Sequence, residues 1–132
     1  MHIKDTLPHR YPFLMIDKVI NVKQDEFVTG YKLITNNEWF INDSHKHMPH
    51  MLIVEALAQL SAFIHTSDSE GLGFLSSLDG VEFHGKAYPG DKLDLHYELM
   101  RNRRGFILGK GIATVNDQPI LTIEKLLIYQ AD

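Results

Sequence analysis

The feature that most constrains this chain is one long apolar segment with helical spacing. Between residues 49 and 64, apolar side chains recur at helical intervals, and Pro49 suits the first turn of a helix. These side chains are Leu52, Ile53, Ala56, Leu57, Leu60, Phe63 and Ile64. Because the segment is apolar on nearly every face, it predicts a helix that other structure surrounds.

The rest of the chain alternates between strand-like runs and turn residues. The predicted strands lie at residues 13–22, 27–35, 93–99, 106–115 and 119–129. Strict alternation of apolar and polar side chains at 93–99 indicates an antiparallel strand with one buried face. Antiparallel strands with a single helix predict an α+β architecture. At 132 residues, the whole chain, 1–132, is expected to form one domain.

Composition excludes several functional classes. The chain has no cysteine, so neither disulfides nor thiolate chemistry is available. No apolar run approaches the roughly 20 residues that span a bilayer, and the N-terminus lacks the apolar core of a signal peptide. We therefore expect a cytoplasmic protein with no membrane partner. A net charge of −4 gives nucleic acid no general electrostatic reason to bind.

The apolar segment carries one ionisable side chain after its first turn, Glu55. Burying a carboxylate without partners costs several kcal/mol or raises its pKa, and the latter suits a general acid or base. We therefore expect a buried Glu55 with a catalytic role. Pairing with a basic side chain at a subunit interface is an equally open interpretation. Gln59, four residues later on the same helical face, either orients the carboxylate or caps a polar seam between subunits.

Three histidines precede or begin this helix: His45, His47 and His50. Imidazole transfers protons well near neutral pH. The same residues, with Asp43 nearby, are also compatible with zinc binding or with an ordinary polar loop. The first helical amides, around His50 and Met51, are candidate donors to a developing oxyanion.

Three stretches of the chain resemble the β-hydroxyacyl-(acyl carrier protein) dehydratase family, which has the hotdog fold. They are residues 7–19 (LPHRYPFLMIDKV), residues 48–59 (MPHMLIVEALAQ) and the later strands from residue 80 to residue 105. Together they cover most of the chain in the family's order. The resemblance implies an antiparallel sheet wrapped around one long central apolar helix.

The resemblance also implies a reaction, the loss of water from a 3-hydroxyacyl thioester to give a trans-2-enoyl thioester in fatty-acid or related acyl-chain biosynthesis. The family uses no cofactor or metal. A loop histidine removes the α-proton, and a helix carboxylate from the other subunit of a dimer handles the hydroxyl. Glu55 matches that carboxylate and Gln59 matches the family's glutamine. The implied partners are an acyl carrier protein or coenzyme A thioester and a second copy of the chain.

The loop before the helix departs from the family's pattern. It is shorter, and Ile41 stands where the catalytic histidine should be. His45 is therefore the expected base, with His47 as the next candidate, and His50 replaces a glycine beside the oxyanion-binding amides. The alternatives are a hotdog thioesterase, or a non-catalytic acyl-binding protein that has lost the histidine.

Basic residues lie in two places where an acidic carrier protein could dock. Arg101, Arg103 and Arg104 cluster at a predicted hairpin, and Lys86 precedes the Pro-Gly turn. Both are also compatible with ordinary solvated turns. Arg10 is equally compatible with a structural role.

Overall fold

One antiparallel sheet and one long helix make up the fold of the computed structural model, which describes residues 3–64 and 73–130. The elements are α1 (Ile3–Thr6), β1 (Lys18–Lys23), β2 (Phe27–Leu33), α2 (His50–Ser61), β3 (Gly73–Phe83), β4 (Lys92–Arg103), β5 (Phe106–Val115) and β6 (Gln118–Gln130). A short 3-10 turn, Ala62–Ile64, follows α2 directly. Among the described strands the order across the sheet is β1-β2-β4-β5-β6-β3, with every neighbouring pair antiparallel. The polar stretch of the sequence at residues 66–71, which follows the helix, lies outside the described residues.

The helix predicted over residues 49–64 is confirmed. Pro49 precedes α2 in an extended conformation, and its carbonyl accepts the first helical hydrogen bonds, from the amides of Leu52 (3.0 Å) and Ile53 (3.3 Å). The amide of Met48 donates to the carbonyl of Ala87 at 2.9 Å. This bond ties the start of α2 to the segment that leads into β4.

One face of α2 packs on the inner face of the sheet. Its buried residues are Ile53, Val54, Ala56, Leu57, Gln59, Leu60 and Ser61. Gly111 of β5 permits the close approach, since a Cβ there would lie 3.1 Å from the Cδ1 atom of Leu57. On the same strand a Cβ at Gly109 would fall 2.2 Å from the ring of Tyr97, which is completely buried.

The predicted half-buried strand at 93–99 is confirmed within β4, where Leu93, Leu95 and Tyr97 face the core. The early strand prediction is wrong for residues 13–16, because β1 begins only at Lys18. The backbone of Phe13 and Met15 instead bonds to the side chain of Gln59 on α2. The apolar pattern there arises from docking onto the helix, not from strand pairing.

Candidate active site

Glu55 lies in the middle of α2, but it is not the buried carboxylate that the sequence predicts. Its side chain is 34% exposed. The sheet covers only one face of α2, and Glu55 lies at the border of the uncovered face. Met51, one turn earlier, is 59% exposed on the same side. Residues 3–64 and 73–130 therefore cover the helix only in part, and its carboxylate is accessible.

Gln59 connects Glu55 to the segment that precedes β1. Its side chain is only 2% exposed and makes three hydrogen bonds. The amide nitrogen donates to Glu55 Oε1 at 3.1 Å and to the carbonyl of Phe13 at 2.5 Å. The amide oxygen accepts from the backbone N–H of Met15 at 2.9 Å. Gln59 thus holds the carboxylate and the N-terminal segment in one fixed arrangement.

The imidazole that the structure places beside Glu55 is His9. Its Nε2 atom lies 3.6 Å from Glu55 Oε1, and the two side chains are 33% and 34% exposed. His9 Nδ1 is buried and has no hydrogen-bond partner among the described residues. Sequence reasoning did not single out His9 as a site residue. The available signal was its place in the segment LPHRYPF, which lies in the first stretch that resembles the dehydratase family.

Arg10 has the structural role that the sequence left open. Its guanidinium group donates to the carbonyl oxygens of Leu7 and His9, both at 2.8 Å, and to that of Lys4 at 3.3 Å. Leu7 is 2% exposed and anchors the same segment in the core. These bonds fold the N-terminal segment back on itself and fix the backbone at His9.

The three histidines of the preceding loop make other contacts. His45 is exposed, with Nδ1 3.4 Å from the side-chain oxygen of Asn42. His47 Nδ1 lies 3.2 Å from the carbonyl of Met48. His50 Nε2 donates to the carbonyl of Gly85 at 2.7 Å. In the part of the chain that the structure describes, no hydrogen bond or ion pair joins any of these imidazoles to Glu55.

The start of α2 offers two backbone donors. The first helical bonds begin at Leu52 and Ile53, and no acceptor for the N–H groups of His50 and Met51 occurs in residues 3–64 or 73–130. Such amides at the positive end of a helix can stabilise an anionic oxygen. The ring of His50 stacks on Phe83, with centroids 4.4 Å apart, beside these donors.

The basic residues lie in two different environments. Arg101, Arg103 and Arg104 line a surface pocket with Phe106, Leu108 and Leu127. Leu108 lies on the sheet face opposite α2, because its neighbours Ile107 and Gly109 face the core. Lys86 is exposed and immediately precedes Ala87, whose carbonyl binds the start of α2. Lys86, not the arginine cluster, therefore lies on the same side as the helix start.

Two further observations bear on possible functions. Within the described ranges, no group of three or more His, Asp or Glu side chains is arranged to hold a metal ion. The zinc alternative for the loop histidines thus receives no geometric support. Over the same ranges, no helix is long and apolar enough to cross a membrane.

Comparison with known proteins identifies the family of the chain. Residues 7–124 match the model of a family described as the FabA-like domain. The chain is 49% identical over 119 residues to the uncharacterized protein YcsD of Bacillus subtilis, covering 90% of this chain and 92% of YcsD. It is 39% identical over 128 residues to the 3-hydroxyacyl-[acyl-carrier-protein] dehydratase FabZ of the same organism, covering 92% and 91% of the two chains.

The hotdog fold expected from the sequence is confirmed by solved structures. The dehydratase heterocomplex ApeI:P from Xenorhabdus doucetiae superposes with a TM-score of 0.86 at 21% identity, over 100% of this chain and 92% of that one. A hypothetical thioesterase with coenzyme A from Streptococcus pneumoniae gives a TM-score of 0.68 at 10% identity, over 86% and 84%. On the family match and the identity to the FabZ relatives, this chain belongs to the FabA-like family of 3-hydroxyacyl-(acyl carrier protein) dehydratases.

Proposed function

We propose that this protein dehydrates 3-hydroxyacyl thioesters to trans-2-enoyl thioesters, with Glu55 as the general acid. The observation that carries the proposal is the Glu55 carboxyl group on α2, which is accessible and oriented by Gln59 at 3.1 Å. A carboxyl group held by a buried amide keeps one geometry, which general acid catalysis requires. The FabZ relatives, at about 40% identity, are named for this reaction.

The chemistry needs a base at the α-carbon and an acid at the 3-hydroxyl group. The base removes the α-proton, the C–O bond to the 3-hydroxyl breaks as the double bond forms, and Glu55 donates the proton that completes the leaving water. His45 is the proposed base, and His47 is the second candidate. His45 is exposed at the loop surface, which leaves its imidazole free to reach a site across a subunit interface.

The developing enolate oxygen needs donors. The N–H groups of His50 and Met51 have this role in our proposal, since no described residue accepts from them. His47 and His50, with rings 5.7 Å apart, would line the entrance for the thioester arm. Gln59 contributes by orienting the carboxylate.

A second copy of the chain would complete this site. Large apolar side chains are exposed around Glu55 and at the start of α2: Tyr11 (79%), Phe13 (56%), Met51 (59%) and Phe83 (58%). Exposed apolar surface of this kind is typical of subunit interfaces. We therefore propose a homodimer or higher homo-oligomer. Light scattering should give at least twice the 15.2 kDa mass of the chain, and a monomeric mass for fully active protein would contradict the proposal.

The acyl group would arrive on a carrier protein or on coenzyme A. Lys86 lies beside the start of α2, whereas the arginine pocket lies on the opposite sheet face. An acidic carrier protein docked near Lys86 would place its thioester arm close to the proposed donors. Lys86→Glu should therefore raise KM for carrier-linked substrate and leave KM for the coenzyme A thioester unchanged.

One assay tests the central proposal. The protein is incubated with 3-hydroxyacyl and 2-enoyl thioesters, and both their interconversion and free thiol are followed. Interconversion without thiol release supports the dehydratase, while thiol release indicates the thioesterase alternative. Inactivity on every chain length and carrier would overturn the proposal and favour a non-catalytic acyl-binding protein.

Glu55→Gln should reduce turnover by at least about 100-fold, because the amide has no acidic proton to transfer to the leaving group. Glu98→Gln is the matched control, since Glu98 pairs with Lys110 at 3.0 Å on strands β4 and β5. Both variants should unfold at the wild-type midpoint. His45→Ala should lose more activity than His47→Ala, and equal activity of His45→Ala and wild type would remove His45 from its proposed role.

A further inference from the structure

The two oxygens of the Glu55 carboxyl group have different surroundings. Oε1 lies 3.1 Å from the Gln59 amide nitrogen and 3.6 Å from His9 Nε2. Oε2 has no hydrogen-bond or ion-pair partner among residues 3–64 and 73–130. We propose that His9 is a positioning residue, which holds Oε1 together with Gln59 and so directs Oε2 toward the substrate. This inference rests on the proposed function of Glu55.

The backbone at His9 is fixed well enough for this role. Leu7 and Met15, on either side of it, are 2% and 1% exposed. Arg10 bonds the carbonyls of Leu7 and His9, and Gln59 bonds the backbone at Met15. His9 is therefore attached at both ends to the same core that supports α2. The Cα atom of His9 therefore cannot move far from Glu55 without breaking these contacts.

The burial of one ring nitrogen also selects a tautomer. His9 Nδ1 is buried without a partner in the described part of the chain. A proton on Nδ1 would bury an unpaired N–H group, whereas a proton on Nε2 leaves only an unused lone pair at Nδ1. The favoured neutral tautomer thus has its N–H on Nε2, facing Glu55 Oε1. We expect the 3.6 Å gap between His9 Nε2 and Glu55 Oε1 to shorten to a hydrogen bond in the substrate complex.

Once Oε1 accepts from both Gln59 and His9 in the substrate complex, the acidic proton of Glu55 is assigned to Oε2. A carboxyl oxygen that already accepts two N–H groups is a poor place for a proton. The leaving hydroxyl would therefore receive its proton from Oε2. Without His9, the carboxyl group could rotate and present either oxygen, so fewer encounters would have productive geometry.

Two substitutions of nearly equal size separate positioning from packing. The amide nitrogen of His9→Gln can reach the place of Nε2, whereas that of His9→Asn reaches only the place of Nδ1. We expect His9→Asn to lower kcat by about 10- to 100-fold with KM within about twofold. His9→Gln should recover most of that loss. Equal losses in both variants, or unchanged kcat in His9→Asn, would overturn the proposal.

A second readout does not depend on turnover. Ring-nitrogen NMR shifts of the wild-type protein, with the His9 signal identified by its loss in His9→Asn, should show the Nε2–H tautomer. Those shifts should change in Glu55→Gln and stay unchanged in Glu98→Gln. An Nδ1–H tautomer, or no response to Glu55→Gln, would refute the pairing even in an active enzyme. Inactive wild-type protein would instead refute the proposed function, so the two failures are distinguishable.

Discussion

Replacing Gln59 by leucine should destabilise the protein and disable Glu55 together. The substitution keeps the side-chain volume nearly constant but removes the bonds to Met15, Phe13 and Glu55. The N–H of Met15 is buried, and leaving it unpaired costs about 1–3 kcal/mol. The carbonyl of Phe13 is only partly buried, so leaving it without a donor costs less free energy than leaving the Met15 N–H unpaired. Together the losses amount to about 2–4 kcal/mol, a large share of the stability of a typical domain.

Urea unfolding at one fixed protein concentration measures this difference, since oligomers unfold in a concentration-dependent way. A loss of this size should lower the midpoint by about 1–2 M. Ser61→Ala is the matched control, because Ser61 is also a buried polar residue of α2 but bonds only the carbonyl of Ala58. It should lose less than about 1 kcal/mol. Hydrogen exchange at the Met15 amide should accelerate in Gln59→Leu, and unchanged exchange with an unchanged midpoint would refute the reasoning.

Three further predictions follow from the sheet. Gly109→Ala should lower the free energy of unfolding by at least about 3 kcal/mol, because the new Cβ falls 2.2 Å from the Tyr97 ring. In the control Gly85→Ala the nearest atom to the new Cβ is the end of a flexible side chain at 3.3 Å, so the loss should be small. Thermal melting compares the two variants. The Tyr97 hydroxyl is buried without a partner among the described residues, so Tyr97→Phe should be at least as stable as wild type in urea at neutral pH. Burial raises the pKa of Tyr97 above its ordinary 10.0, so the folded state holds this proton more tightly than the unfolded state does. The stability that this difference contributes is present below pH 10.0 and is lost as the pH rises above it. Tyr97→Phe lacks the hydroxyl, so its free energy of unfolding should fall less than that of wild type between neutral and alkaline pH. Arg101→Glu and Arg103→Glu, on the face opposite α2, should leave KM for carrier-linked substrate unchanged, and a rise matching that of the Lys86 variant would contradict the assigned docking side.

The elements that sequence reasoning predicted correctly are those with a regular local period. α2 has apolar residues at helical spacing after Pro49, and β4 alternates from Leu93 to Leu99. The failure at residues 13–16 has a physical cause. Burial against a helix selects the same apolar side chains as burial in a sheet, so hydrophobicity alone does not separate the two.

The site was predicted only in part, for a related reason. Glu55 and Gln59 share a helical face, so their hydrogen bond follows from local spacing. His9 contacts Glu55 across a long sequence separation, and no local period encodes that pairing. The exposure of Glu55 could not be predicted from the sequence either. An apolar helix is expected to be buried, but its sequence does not indicate whether the same chain or a second chain buries it.

The hydrogen bonds of Gln59 span sequence separations of 44 and 46 residues. Closing loops of that length is slow, because chain entropy is lost before the contacts form. During synthesis the segment around Met15 leaves the ribosome first, and its bonds to Gln59 cannot form until α2 has followed. The carboxyl group of Glu55 therefore acquires its orientation only after these long-range contacts have formed.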